Sequence, residues 1–313
     1  MKPSLARLAW LVLGWNVLVI LWGAFVRATG SGAGCGAHWP LCNGEVLPRA
    51  PQLATLVELT HRVTSGLALV AVVYLAWRVF RERPARHPAR LAAAASVIFI
   101  LSEAAVGAGL VLFRLVADDE SVARALFMSV HLMNTFVLLA CLTLTAHFAS
   151  NDVRPSLDAA SVWPFALAGL ALLLVGTSGA IAALGDTLYP AGSLLSGLAA
   201  DLSPTAHLLV RLRLAHPLLA LVGAIAVAFA AGRVLRGASP PTAHRAARAT
   251  AGLVLLQLGV GLANVALLAP VWIQLVHLLL ADLVWIGLVL AAVRALPPRP
   301  PDPLRPALLA RAA

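Results

Sequence analysis

The fold class this sequence predicts is an all-α integral membrane protein with eight transmembrane helices. They are expected to form two pseudosymmetric four-helix bundles. Three observations predict it. The 313 residues are 61% hydrophobic and only 12% charged, with a mean hydropathy of +0.90. A water-soluble domain of this size cannot cover its surface with so few charges. Second, the chain holds eight apolar runs near the roughly 20 residues a bilayer core requires. Runs this long and uniform specify helices rather than barrel strands. Third, the chain repeats itself.

The predicted helices cover 8–27, 56–77, 93–115, 124–147, 162–184, 206–231, 248–268 and 272–293. The first follows Met1 to Arg7, so a signal peptide is the alternative reading of this run. The repeat needs it as a helix. The net charge of +10 would suit nucleic acid, but the arginines sit in short connectors, as membrane topology requires. Residues 78–92 and 232–247 are Arg-rich, and the tail carries Arg294, Arg299, Arg305 and Arg311. With both termini in the cytoplasm, 16 basic residues lie inside and seven outside. The positive-inside rule favours that orientation in a bacterial cell membrane. The long outer loops are then 28–55 and 185–205, and the Pro-rich end 297–313 is expected to be disordered.

The repeat divides the chain into an N-terminal bundle, 1–150, and a C-terminal bundle, 151–296. His61 in the second helix matches His216 in the sixth, 155 residues on; His131 in the fourth matches His277 in the eighth, 146 residues on. Glu103 to Gly109 in the third helix matches Gln257 to Gly261 in the seventh. Four helices per half give both halves the same orientation, related by an axis along the membrane normal. Gly107, Gly109, Gly259 and Gly261 read as close-packing positions, with room for a flat macrocycle as a second use.

His61, His131, His216 and His277 all lie on even-numbered helices, within about ten residues of the helix start. They therefore share a depth in the outer half of the bilayer. An imidazole in lipid is costly and implies function. Two imidazoles at one depth suit the axial ligation of a haem iron enclosed by helices. Zinc would need three or four converging ligands. The bland alternative is polar gluing of helices. His207, nine residues before His216, is the competing ligand in its helix. Pro217 removes a backbone hydrogen bond near residue 213 and predicts a kink.

Glu58 and His61 are spaced i, i+3 and share a helix face. A carboxylate there can serve as acid or base, or pair plainly with Arg62 or Arg27. The matching stretch of the second half has Arg213. Arginines near the outer edge also suit porphyrin propionates. Cys35 and Cys42 lie in the first outer loop, where an oxidising exterior permits a disulfide, structural or redox-active. Cys141 reads as a packed small hydrophobe.

The run Val26-Arg27-Ala28-Thr29-Gly30-Ser31-Gly32-Ala33-Gly34-Cys35, with Trp39-Pro40-Leu41-Cys42 and Glu58-Leu59-Thr60-His61-Arg62, resembles the haem A synthases. The later histidines fit the same resemblance, which spans residues 8–293. It implies two four-helix bundles and oxidation of the C8 methyl of haem O to the formyl of haem A, an oxidoreductase reaction at a CH group. The chemistry is four-electron, as two hydroxylations and loss of water. His216 and His277 would hold a permanent haem b, with Arg213 beside it. His61 and His131 would flank the haem O substrate, with Glu58 assisting. His38 stands where relatives often have Asp. Expected partners are membrane lipid, haem O synthase, cytochrome oxidase assembly factors and a second copy of the chain, with no nucleic acid. The rival readings are a di-haem electron-transfer cytochrome and a transporter. The Glu58/Arg213 asymmetry argues against a symmetric wire.

Overall fold

A computed structural model describes residues 4–151 and 155–298. Lys2, Arg154 and the tail beyond residue 298, with its predicted disorder, lie outside the described residues. The long helices are α1 (Leu5–Ala28), α2 (Leu53–Glu82), α3 (Pro88–Leu112), α4 (Val122–Ser150), α5 (Ala159–Leu188), α8 (Ala215–Arg236), α9 (Pro241–Ala266) and α10 (Val271–Ala295). Two short helices, α6 (Leu194–Leu202) and α7 (Leu208–Arg211), lie between α5 and α8. Eight spans are long and apolar enough to cross a membrane, with Leu208–Arg236 counted as one. No strand occurs among the described residues.

Most helices run several residues past their hydropathy limits. The inner ends extend into the Arg-rich connectors because arginine is a good helix former and the interface is wet. Proline then fixes two starts. Pro88 and Pro241 stand in the first turns of α3 and α9, where the missing N–H costs nothing. The His87 Nδ1 caps α3 by accepting from the Ala89 N–H at 3.2 Å. The α6 helix, absent from the sequence reading, is closed by a capping box between Ser193 and Ser196.

The sixth span is broken. A 3₁₀ turn, Leu212–Leu214, separates α7 from α8 just before His216-Pro217. The proline cannot donate to residue 213, and the chain tightens there.

Helices α1 to α4 form a closed ring of contacts, α1 on α2, α2 on α3, α3 on α4 and α4 on α1. Helices α5, α8, α9 and α10 form a second such ring. The rings meet where α4 touches α5 and α10, and α1 touches α10. Trp285 stacks on Phe136 at that seam, ring centres 5.2 Å apart, and donates its Nε1–H to the Phe136 carbonyl at 2.6 Å. Helices α3 and α9 end alike. Phe113 and Leu267 bond back four residues at 2.9 Å each, and Arg114 and Leu268 follow in the left-handed region.

The packed core sits toward the helix ends that carry the Arg-rich connectors. Val12, Val72, Leu75, Val79, Leu139, Leu142 and Val293 fill the first ring and the seam. Val227, Ala230 and Val254 fill the second. No residue from 59 to 67 of α2 is buried, nor any before Gly223 on α8 or after Val254 on α9. The main apolar clusters therefore leave these stretches of α2, α8 and α9 uncovered, and a smaller cluster of Ala125, Leu184 and Leu209 lies past the histidines.

Candidate functional site

Each of the four histidines stands in the same place, about two turns into its span. His61 is the ninth residue of α2, His131 the tenth of α4 and His277 the seventh of α10. His216 is the ninth residue of its span. At 1.5 Å per residue these depths agree to within about one turn.

A helix glycine backs every ring. A Cβ built on Gly23 of α1 would lie 2.9 Å from Cε1 of His61, and one on Gly179 of α5 would lie 2.9 Å from Cε1 of His216. The matching distances are 3.7 Å from Gly107 of α3 to His131 and 3.0 Å from Gly261 of α9 to His277. At Gly23, Gly179 and Gly261 the missing side chain leaves room for the Cε1 edge of the imidazole against the neighbouring helix. Gly107 and Gly261 were expected at close contacts. Gly109 instead seats Phe127, and Gly259 meets nothing within 4 Å. Gly23 and Gly179 escaped the sequence reading. Their separation of 156 residues, against 155 for His61 and His216, was the available signal.

His216 and His277 face each other with ring centres 6.2 Å apart and planes at 87°. A metal–imidazole bond of about 2.0–2.1 Å plus about 1 Å to the ring centre puts opposed ligands roughly 6 Å apart. The pair fits an axial set for one metal. Ser178 lies 3.1 Å from His216 Nδ1 and can hold that nitrogen, leaving Nε2 as the ligand. The Nδ1 atoms of His61, His131 and His277 are buried without a hydrogen-bond partner. Among the described residues no three His, Cys, Asp or Glu side chains converge on a point. Paired imidazoles are therefore the metal-binding geometry on offer. His207 is not part of it. It caps α7, accepting from the Leu209 N–H at 3.3 Å, and stacks on Tyr189.

Glu58 is buried, only 3% exposed. One carboxylate oxygen accepts from the Cys35 backbone N–H at 2.8 Å, and the other pairs with Arg62. Arg62 also donates to the carbonyls of His38 and Leu41. The expected alternative of an ion pair with Arg62 is thus realised, and it ties the outer loop to the helix that carries His61. Cys35 and Cys42 are paired and buried, Cα atoms 4.3 Å apart.

Arg27 does not reach Glu58. It crosses to the second ring, donating to the Ala183 carbonyl at 2.8 Å, Thr187 Oγ1 at 2.6 Å and Gln274 Oε1 at 2.7 Å. Arg213 is held by Asp186 at 3.0 Å and Asp201 at 2.9 Å, and donates to the Tyr189 carbonyl. Its guanidinium braces the outer loop, a use the sequence reading missed because both acids are distant in the chain. Tyr189 donates to Glu120, and that bond pushes its phenol up to about 12.

Residues 6–289 match the cytochrome oxidase assembly protein family, COX15-CtaA. The chain belongs to this family. Within the COX15-CtaA relatives it is 42% identical over 97 residues to the heme A synthase of Alkalihalophilus pseudofirmus, 31% of this chain and 33% of that one. It is 36% identical over 140 residues to the heme A synthase of Halalkalibacterium halodurans, 45% and 44% of the two chains. It is 52% identical over 294 residues to a protoheme IX farnesyltransferase of Thermus thermophilus, 93% of this chain and 48% of that one. The COX15-CtaA chain thus spans about half the length, or less, of the curated relatives it matches. With eight apolar spans it is a multi-pass membrane protein.

Proposed function

We propose that this chain is a haem A synthase, oxidising the C8 methyl of haem O to the formyl group of haem A. The observation that carries the reading is the set of four histidines at one depth, each beside a helix glycine, with His216 and His277 facing each other. In this reading the two rings, 1–150 and 151–296, are pseudosymmetric bundles with different duties.

His216 and His277 hold a resident haem b, which supplies one-electron chemistry when bound. Ser178 fixes the His216 tautomer, and Gly179 and Gly261 set the rings. His61 and His131 position the iron of the haem O substrate. Glu58 stands one turn outside His61, with Arg62 keeping its charge in place. From there the carboxylate takes a proton released during oxidation and passes it toward the outer loop. The outer loop, stapled by a Cys35–Cys42 disulfide, covers this end and limits water. Arg213, braced by Asp186 and Asp201, shapes the outer rim over the resident haem.

Both termini face the cytoplasm, and the histidines lie toward the outer face of a bacterial cell membrane. The Thermus relative is named for the farnesyl transfer that makes haem O and is twice as long as its match here. This supports a partnership with a haem O synthase. The test is pigment analysis of cells given a haem O source. Haem A that disappears with Glu58→Ala supports the reading. Bound haem b without haem A would mark a di-haem cytochrome, and no haem would mark a transporter.

A further inference from the structure

Glu103 lies on α3, one turn before Gly107, and so flanks the same His131 ring. Its Oε1 is 3.4 Å from His131 Nδ1 and accepts from the Thr135 hydroxyl. Its Oε2 accepts from the Asn134 side chain. Asn134 also donates to the Phe99 carbonyl at 2.9 Å and accepts from Ser102 at 2.6 Å. His131, Asn134 and Thr135 are spaced i, i+3 and i+4, so one face of α4 presents all three to the carboxylate. A carboxylate has about four lone-pair sites. Two are used, and His131 Nδ1, 3.4 Å away, is buried without a hydrogen-bond partner.

The second ring has the same frame with different chemistry. Gln257 stands one turn before Gly261, but its side-chain nitrogen lies 3.4 Å from His277 Nε2, the other ring nitrogen, and His277 Nδ1 has no hydrogen-bond partner. At the repeat spacings of 154 and 146 residues, Leu256 replaces Ser102, Leu280 replaces Asn134 and Ala281 replaces Thr135. Gluing α3 to α4 needs no charge, and Ser102 with Asn134 already does it. A carboxylate held in place by Thr135 and Asn134 needs another explanation.

We propose that Glu103 is a positioning residue that takes the Nδ1 proton of His131 in a hydrogen bond and presents Nε2 to the substrate iron. A carboxylate behind an imidazole fixes its tautomer and makes it a stronger donor to the metal. The amide of Gln257 lacks that charge. The first ring thus binds ferric iron more tightly than the second does through its own α10 ligand. The inference rests on the haem-ligand reading above.

The experiment is a redox titration of the purified full-length protein loaded with haem, with signals assigned by the loss of one in His131→Ala and the other in His277→Ala. Glu103→Gln is expected to weaken ferric binding at the first site about 10–100-fold, the usual cost of losing such a partner. If ferrous binding is unchanged, each factor of ten reads as a rise of about 59 mV in its midpoint potential. Glu103→Asp should recover part of the shift. The second site, which has no carboxylate at its Nδ1, should keep its potential in both exchanges. Two bound haems with unshifted potentials in both exchanges would overturn the inference. Failure to bind haem in the unaltered protein would overturn the reading beneath it instead.

Discussion

The buried Glu58 carboxylate accepts a 2.8 Å hydrogen bond from the backbone N–H of Cys35 while pairing with Arg62 on its own helix. One side chain therefore joins the outer loop to the turn that bears His61. The separation of its two duties, charge and clamp, can be measured.

Glu58→Gln keeps an oxygen for the Cys35 N–H and removes the charge. Haem A formation should fall about 10²–10⁴-fold, the range of a lost acid–base group, while the melting temperature stays within a few degrees. Haem extraction and a thermal melt in detergent check this. An equal fall in stability and haem content would make Glu58 a clamp only.

Gly179→Ala puts a methyl 2.9 Å from the His216 ring. The ring must move, at an overpacking cost of about 1–3 kcal/mol, and the second-ring haem should be lost from the reduced spectrum. Gly259→Ala meets nothing within 4 Å and should leave both haems bound. Equal spectra for the two variants would remove the glycine seats from the argument.

Much of this was legible beforehand. Hydropathy marked all eight spans, because lipid imposes its length on each one. Pro217 marked the break before α8. The histidines stood out because a polar ring is rare in an apolar run. The rest depends on residues far apart in the chain. Arg27 finds Gln274 across 247 positions, and Arg213 finds Asp186 and Asp201. Glu103 was visible as a mark of the repeat, but its nearness to His131 needed the packing of α3 on α4.

Cys35→Ser opens a loop closed over a sequence separation of 7. The loss should be about 2–3 kcal/mol on the chain-entropy scale, seen as faster protease nicking between residues 30 and 52. Haem A formation should fall less than in Glu58→Gln. A complete loss of activity with an intact loop would assign the pair a redox role.

Asp282 is fully buried in α10, and neither carboxylate oxygen has a hydrogen-bond partner among the described residues. Such a group costs about 1–3 kcal/mol, more if charged. Asp282→Val should therefore raise stability in detergent by a similar amount. Destabilisation, read by the same unfolding titration, would mean that a bound water or ion satisfies the acid.

The common depth of the four histidines has an energetic consequence. Moving one charge across a membrane at 100 mV involves about 2.3 kcal/mol. An electron passed between the two proposed irons would travel sideways, parallel to the bilayer plane, and so would do almost no work against that field. That transfer would have the same driving force in an energised cell and a de-energised one.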